Sequence, residues 1–313
     1  MDKKQNQWKA WLYLSPALII LAIFTVWPII NTIRMSLLTD YDGLSKYGGA
    51  SFEFGFKNFK NVVTYSGFKN CLSNTMILCV VTVPISTMLA LVIAVALNSI
   101  KFVRKTMQTI FFLPYVTNSI AIGMVFAAMF TVVVNGSHEP VTMGIINNII
   151  EAFGGKAINW MNPAVDGMGA SSKTANMVVL SIYIVWNALP FKILVLLGGL
   201  QSVNKQYYEA AKVDGTSRWR TFWRITVPLL SPMIAYVVIT SFIGGFKEYT
   251  SVVGIFGDSM GSPRGRLNTM VGFIYDNLDD NQGKVSAAAL ILFAIIFAVT
   301  MVNMYVSKKK VHY

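Results

Sequence analysis

The stretch Glu209-Ala210-Ala211-Lys212-Val213-Asp214-Gly215, which runs on to Thr226-Val227-Pro228-Leu229-Leu230-Ser231-Pro232, decides how this chain is organised. It belongs to a charged segment that lies between two long apolar runs. A simple connection between helices needs only ~4–6 residues, whereas about 25 residues of polar sequence are used here. We therefore expect a structured element that is held by a partner outside the chain.

The composition indicates a protein whose solvent is a lipid bilayer. Hydrophobic residues make up 54% of the 313 residues and charged residues only 13%, whereas soluble domains carry roughly 25% charged residues. Apolar runs of about 20 residues, the length that spans a bilayer, occur six times. The predicted spans are Leu12–Ile33, Asn74–Leu97, Thr109–Val134, Asn176–Gly199, Leu229–Ile255 and Val285–Val306. The predicted fold class is therefore an all-α polytopic membrane protein with six transmembrane helices.

The net charge of +12 is explained by topology, so nucleic-acid binding is not needed to account for it. With six spans, both termini lie on the same side of the membrane. The segments on that side carry 14 cations and three acids, whereas those on the other side carry ten of each. Because basic residues are retained in the cytoplasm, we place both termini there. Residues 1–10 form a cytoplasmic lead, residues 11–307 one membrane domain and residues 308–313 a basic tail.

Several kinds of site are excluded by spacing. Cys71 and Cys79 lie two turns apart on one predicted helix, roughly 12 Å by helix rise, which is too far for a disulfide. His138 and His312 show no metal-ligand spacing with them. No Gly-x-x-x-x-Gly-Lys-Ser/Thr motif occurs, so the chain itself is not expected to hold ATP phosphates. We expect no cofactor, no metal ion and no catalytic residue in this chain.

Residues 201–228 predict a bent cytoplasmic arm, which we call the elbow. Asn204 can cap a first helix, Gly215 can supply the left-handed residue that ends it, and Thr216 or Ser217 can cap a second helix. Composition alone leaves two interpretations open. The elbow either docks on a protein partner or rests on lipid headgroups, with its arginines binding anionic lipid.

The elbow sequence resembles the EAA loop of permease subunits in binding-protein-dependent ABC importers. That loop reads Glu-Ala-Ala, then Asp-Gly-Ala, then a Phe and Ile-x-x-Pro-Leu, and here Thr216 replaces the usual alanine. Three further segments resemble motifs of the same family. They are Phe56-Lys57-Asn58-Phe59, Phe111-Phe112-Leu113-Pro114 and Trp186-Asn187-Ala188-Leu189-Pro190-Phe191. Together these motifs resemble the carbohydrate-uptake branch, in the maltose-type first-permease lineage.

This resemblance implies the ABC importer permease fold in a bacterial plasma membrane. It also implies an assembly with a second permease, two ATPase subunits and an external solute-binding protein, with ATP and magnesium on the ATPases. The elbow would lie in a cleft of an ATPase and pass its movement to the membrane helices. The residues implied in this coupling are Glu209, Ala210, Ala211, Asp214, Gly215 and Arg218.

In maltose-type permeases, a sugar is held by the third, fourth and fifth spans. The matching positions here are Tyr115, Ser119, Asn187, Ala188, Phe191, Ser241, Gly245 and Glu248. The aromatic side chains can stack on a sugar ring, and the polar ones can bind its hydroxyls. Glu248 has a competing structural interpretation, in which it lies near water or pairs with Lys192. A lysine near the midplane also suggests the hypothesis of an acidic sugar.

Other functions remain to be weighed against a carbohydrate importer. A secondary transporter is disfavoured because the sequence shows no inverted repeat and few ionisable groups inside the spans. A membrane scaffold could use the elbow without transporting anything. Within the ABC interpretation, the competing substrates are an amino acid, a peptide or a polyol phosphate. We expect an oligosaccharide, and no covalent chemistry in this chain.

Overall fold

The computed structural model of the chain describes residues 7–39, 41, 53–100, 104–134, 140–162, 169–257, 264–279 and 281–310. Most of these residues are helical, so the predicted all-α class is confirmed. The outer parts of the predicted lead and tail, residues 1–6 and 311–313, lie outside the described residues. Residues 308–310 of the predicted tail continue the last helix.

The helices are α1 (Gln7–Leu21), α2 (Trp27–Leu37), α3 (Lys57–Thr64), α4 (Ser66–Ser99), α5 (Arg104–Val116), α6 (Ser119–Phe130), α7 (Ile145–Ala152), α8 (Lys173–Ser202), α9 (Gln206–Val213), α10 (Arg218–Thr221), α11 (Val227–Leu229), α12 (Ser231–Phe246), α13 (Thr250–Phe256), α14 (Arg264–Leu267), α15 (Met270–Asp276) and α16 (Gln282–Lys310). Two π-helical turns, Ala22–Val26 and Phe222–Thr226, join α1 to α2 and α10 to α11. Two short strands, β1 (Val132–Val134) and β2 (Pro140–Met143), pair antiparallel.

Among the described residues, four helices are long and apolar enough to cross a membrane, and a fifth crossing results if one bent pair counts as a single span. The four are Trp8–Leu37, Ser66–Ser99, Lys173–Ser202 and Gln282–Lys308, and the bent pair is Arg218–Leu229 with Ser231–Phe246. In this order, the four helices overlap the predicted first, second, fourth and sixth spans. The bent pair overlaps the predicted fifth span. The count of six and the cytoplasmic termini stay predictions.

The predicted third span, Thr109–Val134, is not one continuous helix. Helix α5 ends at Val116 and α6 begins at Ser119. The side chain of Asn118 accepts a hydrogen bond from the backbone N–H of Ile120 at 2.9 Å, which is the geometry of an N-cap. The prediction of a single helix was wrong because a capping asparagine starts a new helix inside an apolar run, and because the end of the run forms β1.

The predicted fifth span, Leu229–Ile255, is interrupted in the same way. Helix α12 ends at Phe246 and α13 begins at Thr250. At this break the Glu248 carboxylate accepts a hydrogen bond from the backbone N–H of Ser251 at 3.0 Å. A carboxylate that satisfies an otherwise unpaired N–H at a helix start favours the interruption.

The chain divides into two compact units, Met1–Lys69 with Phe273–Ala294, and Asn70–Gly272 with Ile295–Tyr313. In the first unit, the short helix α3 follows the end of α2 along the chain. The buried side chain of Asn58 donates hydrogen bonds to the carbonyl oxygens of Ser36 (3.0 Å) and Leu38 (2.8 Å). Asn58 therefore ties α3 to the end of α2.

The second unit contains two apolar clusters at different levels along the same helices. One comprises Leu78, Phe130, Met161, Met177, Val179, Leu180, Tyr183, Val252, Ile255 and Leu267. The other comprises Ala90, Leu91, Ala94, Leu97, Ile193, Leu196, Leu197, Leu200, Leu230 and Val237. On α4, on α8 and on α12 with α13, the residues between the two clusters include most of the polar groups that the sequence predicts as a pathway. These helices therefore place a polar layer between two apolar ones.

Candidate functional site

The first helix of the elbow is held at both ends by local hydrogen bonds. It starts at Gln206, whose backbone N–H donates to Asn204 Oδ1 at 3.0 Å. At its end Gly215 has φ of +65°, and the N–H of Thr216 donates to the carbonyl of Ala211 at 2.9 Å. This is the geometry of a Schellman C-cap. The predicted glycine stop is confirmed.

The second arm of the elbow is longer than the sequence predicts. Ser217 Oγ accepts from the backbone N–H of Arg220 at 3.3 Å and caps α10. The chain then stays helical as far as Leu229 and bends by 68° before α12. Pro228 does not end the helix, because proline is accepted in the first turn of α11.

The elbow residues predicted to couple to a partner are mostly accessible. Glu209, Ala210, Asp214, Gly215 and Arg218 are exposed, whereas Ala211 is buried at 5% exposure. Of the two alanines, only Ala210 therefore offers its small surface to another molecule. Sequence reasoning missed two exposed apolar side chains beside these residues, Val213 (88% exposed) and Trp219 (72% exposed).

The elbow is joined directly to one of the apolar clusters. Thr226 Oγ1 lies 3.4 Å from the hydroxyl of Tyr208 and links the two arms. Leu230, at the bend, is buried in the cluster that contains Ile193 and Val237, and Phe222 packs against it. The elbow is therefore packed closely against α8 and α12.

A cavity of about 300 Å³ lies in the polar layer of the second unit. Six of the predicted pathway residues line it, namely Tyr115, Asn187, Phe191, Ser241, Gly245 and Glu248. Ala188 and Lys192 line it as well. The structure thus brings together residues that the sequence separates by more than a hundred positions.

One wall of the cavity is aromatic. The rings of Tyr115 and Phe191 are stacked with centroids 6.0 Å apart and an angle of 20° between their planes. The Phe112 ring lies 5.3 Å from that of Tyr115. Tyr115 is about half exposed, at 51%. A ring face at this wall is available to the apolar face of a flat ligand.

The hydroxyl groups of the cavity are oriented by their own helices. Thr82 Oγ1 donates to the carbonyl of Leu78 at 2.7 Å, and Ser241 Oγ donates to that of Val237 at 2.5 Å. Each hydroxyl carries one hydrogen and two lone pairs. Because the hydrogen is used within the helix, these oxygens face their surroundings as acceptors.

Lys192 is the one buried cation in the described lining of this cavity, with 3% of its surface exposed. Its Nζ donates to Ser86 Oγ at 2.6 Å and to Thr87 Oγ1 at 3.3 Å. The suggested pairing of Glu248 with Lys192 is not what the hydrogen bonds show, because the Glu248 carboxylate accepts from Ser251 N instead. Glu248 is half-buried. Its carboxylate accepts a hydrogen bond at the start of α13, and the residue also lines the cavity.

Ser119 is the one predicted pathway residue that does not line this cavity. It is the first residue of α6, and its backbone carbonyl accepts a hydrogen bond from the buried Tyr183 hydroxyl at 2.6 Å. The chain turns at the break beside Asn118. Ser119 therefore does not occupy the place that it would have in one continuous helix. Ser119 contributes its backbone to packing.

Sequence reasoning also missed part of the lining. Thr82, Val83, Ser86, Ile184, Thr240 and Gly244 complete it. A signal for some of these was present in α4, where hydroxyl residues recur with helical spacing inside an apolar span. Intramembrane polar groups face an interior or a pathway, so this row could have been assigned to the cavity.

A set of apolar helices around a polar cavity, with a bent charged arm attached to them, defines a membrane transport protein. Residues 76–312 match the family described as "Binding-protein-dependent transport system inner membrane component". This match covers most of the chain, and the chain belongs to that family. It is therefore a multi-pass plasma-membrane transport component and not an enzyme.

Two curated relatives match the chain over nearly its whole length. The lactose transport system permease protein LacF of Rhizobium radiobacter is 29% identical, over 96% of this chain and 93% of its own length. The arabinooligosaccharides transport system permease protein AraP of Bacillus subtilis (strain 168) is 28% identical, over 97% of this chain and 93% of its own length.

A solved structure shares the fold. A chain of a bacterial ABC transporter involved in the import of the acidic polysaccharide alginate superimposes with a TM-score of 0.76. It is 18% identical, and the superposition covers 97% of this chain and 96% of that chain. The predicted ABC importer permease fold is thereby confirmed.

Proposed function

We propose that this chain is one of the two permease subunits of an ATP-driven importer that moves a carbohydrate, preferably an oligosaccharide, across the plasma membrane. An external solute-binding protein delivers the sugar. ATP and magnesium act on separate ATPase subunits, and one of these docks on the elbow. The membrane domain of residues 11–307 carries the pathway, and lipid surrounds it.

The observation that carries the carbohydrate assignment is the combination of a stacked aromatic wall with several hydrogen-bonding groups in one cavity. Sugars present an apolar ring face and a rim of hydroxyls, so they need both kinds of contact. The Tyr115 and Phe191 rings supply the first, and Asn187, Ser241 and Glu248 supply the second. The two relatives, which belong to lactose and arabinooligosaccharide transport systems, support the same assignment.

The observation that supports ATPase docking is the elbow. Short-range hydrogen bonds fix its shape, its charged residues are exposed, and its bend is packed on the cluster that holds α8 and α12. The charged residues of this arm are exposed to a partner, and its bend is packed against the membrane helices. Such an arm can pass a partner's movement to the helices that line the cavity. A secondary transporter would not need this arm.

Two measurements test the proposal. Purification of the tagged full-length chain from its native membrane should recover an ATPase with a Gly-rich phosphate loop, and Glu209→Lys should reduce that recovery at least about tenfold. Glu151→Lys is the matched control, because it makes the same charge change on an exposed residue of α7. Recovery of the chain alone, or equal loss in both variants, would remove the docking role.

The substrate class is tested by uptake of radiolabelled lactose, arabinotriose and other oligosaccharides into cells that carry or lack this chain. We expect at least one sugar to depend on the chain and on the Tyr115 and Asn187 side chains. The competing ABC substrates would be favoured if uptake of an amino acid, a peptide or a polyol phosphate depended on the chain while uptake of no sugar did. Uptake that continues when ATP is depleted but the ion gradient is kept would favour a secondary transporter.

A further inference from the structure

Lys192 has no counter-charge among its described hydrogen-bond partners. Its ammonium group lies against Ser86 Oγ and Thr87 Oγ1, both of which are uncharged. These two hydroxyls donate their own hydrogens to the carbonyl oxygens of Thr82 and Val83. Their lone pairs are therefore what the ammonium meets.

This arrangement orients the ammonium group without neutralising it. Burial of a charge is costly unless an opposite charge accompanies it, and Lys192 is only 3% exposed. An ammonium group has three N–H donors, of which the two hydroxyls accept two. The third donor and the net positive charge remain for a ligand in the cavity that the lysine lines.

Glu248 lines the same cavity, but its carboxylate is held elsewhere. It accepts a hydrogen bond from the backbone N–H of Ser251, and its backbone carbonyl accepts one from Thr269 Oγ1 at 2.6 Å. These bonds fix Glu248 at the break between α12 and α13. The cavity therefore has a cationic position on α8 and an anionic one at the end of α12.

From this polarity we propose that the imported sugar carries one anionic substituent, a carboxylate, sulfonate or phosphate ester, which binds Lys192 in the cavity. The inference rests on the proposed function and narrows its substrate class. The hydroxyl-rich part of the sugar lies toward Glu248, whose carboxylate accepts hydrogen bonds. A second anionic group would meet this carboxylate, so a sugar with a single charge is favoured over a polyanion.

The experiment measures ligand-induced thermal stabilisation of the full-length chain, purified together with its partner subunits. The probes are neutral disaccharides (cellobiose, maltose and lactose) and, for each of them, the matching disaccharide with a 6-carboxylate on its non-reducing ring. Each pair differs only at one position, where a carboxylate replaces the C6 hydroxymethyl group. We expect at least one carboxylate probe to bind about tenfold more tightly than its neutral partner, a difference that corresponds to ~1.4 kcal/mol.

Three variants separate recognition from structure. Lys192→Met should abolish the preference for the carboxylate probe, whereas Ser86→Ala, which keeps the charge, should retain it. Glu248→Gln should increase the affinity for the carboxylate probe several-fold, because it removes the like charge from the cavity. This last variant keeps Lys192, so it tests the inference even if Lys192→Met fails to assemble. If Lys192 only joined α8 to α4 and bound no ligand, Glu248→Gln would not increase the affinity for the carboxylate probe.

The outcomes distinguish this inference from the function on which it rests. If neutral probes bind as well as their carboxylates, or if the preference survives in Lys192→Met, the anionic assignment is wrong and the carbohydrate function stands. If Glu248→Gln leaves the affinity of the carboxylate probe unchanged, the assigned polarity of the cavity is wrong. If no carboxylate probe stabilises the complex, the anionic assignment is overturned, whereas the carbohydrate function is decided separately by the uptake assay.

Discussion

The elbow and the cavity are both polar, but interactions of very different range shape them. In the elbow, Asn204 bonds to a residue two positions away, and Ser217 to one three positions away. In the cavity, Lys192 bonds to Ser86 across 106 positions. The elbow is a product of local capping, whereas the cavity exists only when several helices are packed together.

This difference also separates their sensitivity to change. The described surroundings of Gly215 are open, since a Cβ there would meet nothing within 4 Å. At Gly245, in the cavity wall, a Cβ would lie 2.9 Å from Cys79 Sγ. We therefore expect elbow variants to lose coupling while the protein stays folded, and cavity variants to change both binding and stability.

The largest expected effect is that of Gly215→Pro. Proline fixes φ near −65° and has no N–H, whereas Gly215 has φ of +65° and donates to the carbonyl of Lys212 at 3.1 Å. Because proline cannot adopt this φ, the turn between the two arms must rearrange, and a strain of about 1–3 kcal/mol corresponds to roughly a 5–150-fold loss. Sugar uptake should fall by that factor, while immunoblotting shows an unchanged amount of protein in the membrane.

A matched control for this variant lies outside the elbow. Gly154 has φ of +79° and donates to the carbonyl of Glu151 at 2.8 Å, and a Cβ there would also meet nothing within 4 Å. Gly154→Pro imposes the same local strain at the end of α7 and should leave uptake near the wild-type level. Equal losses in both variants would mean that folding, and not coupling, is affected.

The next effect tests the close packing of the cavity wall. Gly245→Ala forces a methyl group against Cys79 and should lower the free energy of unfolding by about 1–3 kcal/mol. Gly244→Ala should not, because a Cβ at Gly244 meets nothing within 4 Å. Thermal denaturation of the purified variants in detergent measures both. Similar melting temperatures for the two would show that the wall yields more easily than the structure indicates.

The sequence predicted the elbow well because each of its signals acts within a few residues. The hydrogen bond to Asn204 before the first helix, the positive φ of Gly215 and the cap at Ser217 all follow from side-chain chemistry and chain geometry. What it missed there, the burial of Ala211 and the long second arm, depends on packing against the rest of the chain. The exposure of Trp219 was missed for the same reason.

The cavity could be predicted only in part, and only through resemblance to a family. The composition shows that polar residues inside spans face an interior, but it does not show which helices meet. The residues Asn118 and Glu248 accept hydrogen bonds at breaks in two predicted spans. Ser119, which the resemblance places in the pathway, follows one of these breaks and does not line the cavity. The hydroxyl residues of α4, such as Thr82 and Ser86, carried a readable pattern that was not used.

A smaller effect is expected from the aromatic wall. Tyr115→Ala removes one face of the stacked pair with Phe191 and should raise the sugar concentration for half-maximal uptake by about 3–10-fold, from ~0.5–1.5 kcal/mol of ring contact. Tyr236→Ala is the matched control, because Tyr236 has nearly the same exposure (50% against 51%) and does not line the cavity. An equal change in both would show that loss of an exposed ring, and not sugar contact, is responsible.

The smallest effect is expected at Ser119, where the sequence and the structure disagree. The structure uses the backbone carbonyl of this residue, which accepts from Tyr183, and alanine keeps that carbonyl. Ser119→Ala should therefore change uptake and stability by less than about 0.5 kcal/mol, as is usual for substitutions away from specific contacts. Asn187→Ala, which removes a side chain that lines the cavity, should weaken uptake in the same assay. If instead Ser119→Ala reduced uptake as strongly as Asn187→Ala, the path of the sugar would have to extend beyond this cavity to the start of α6.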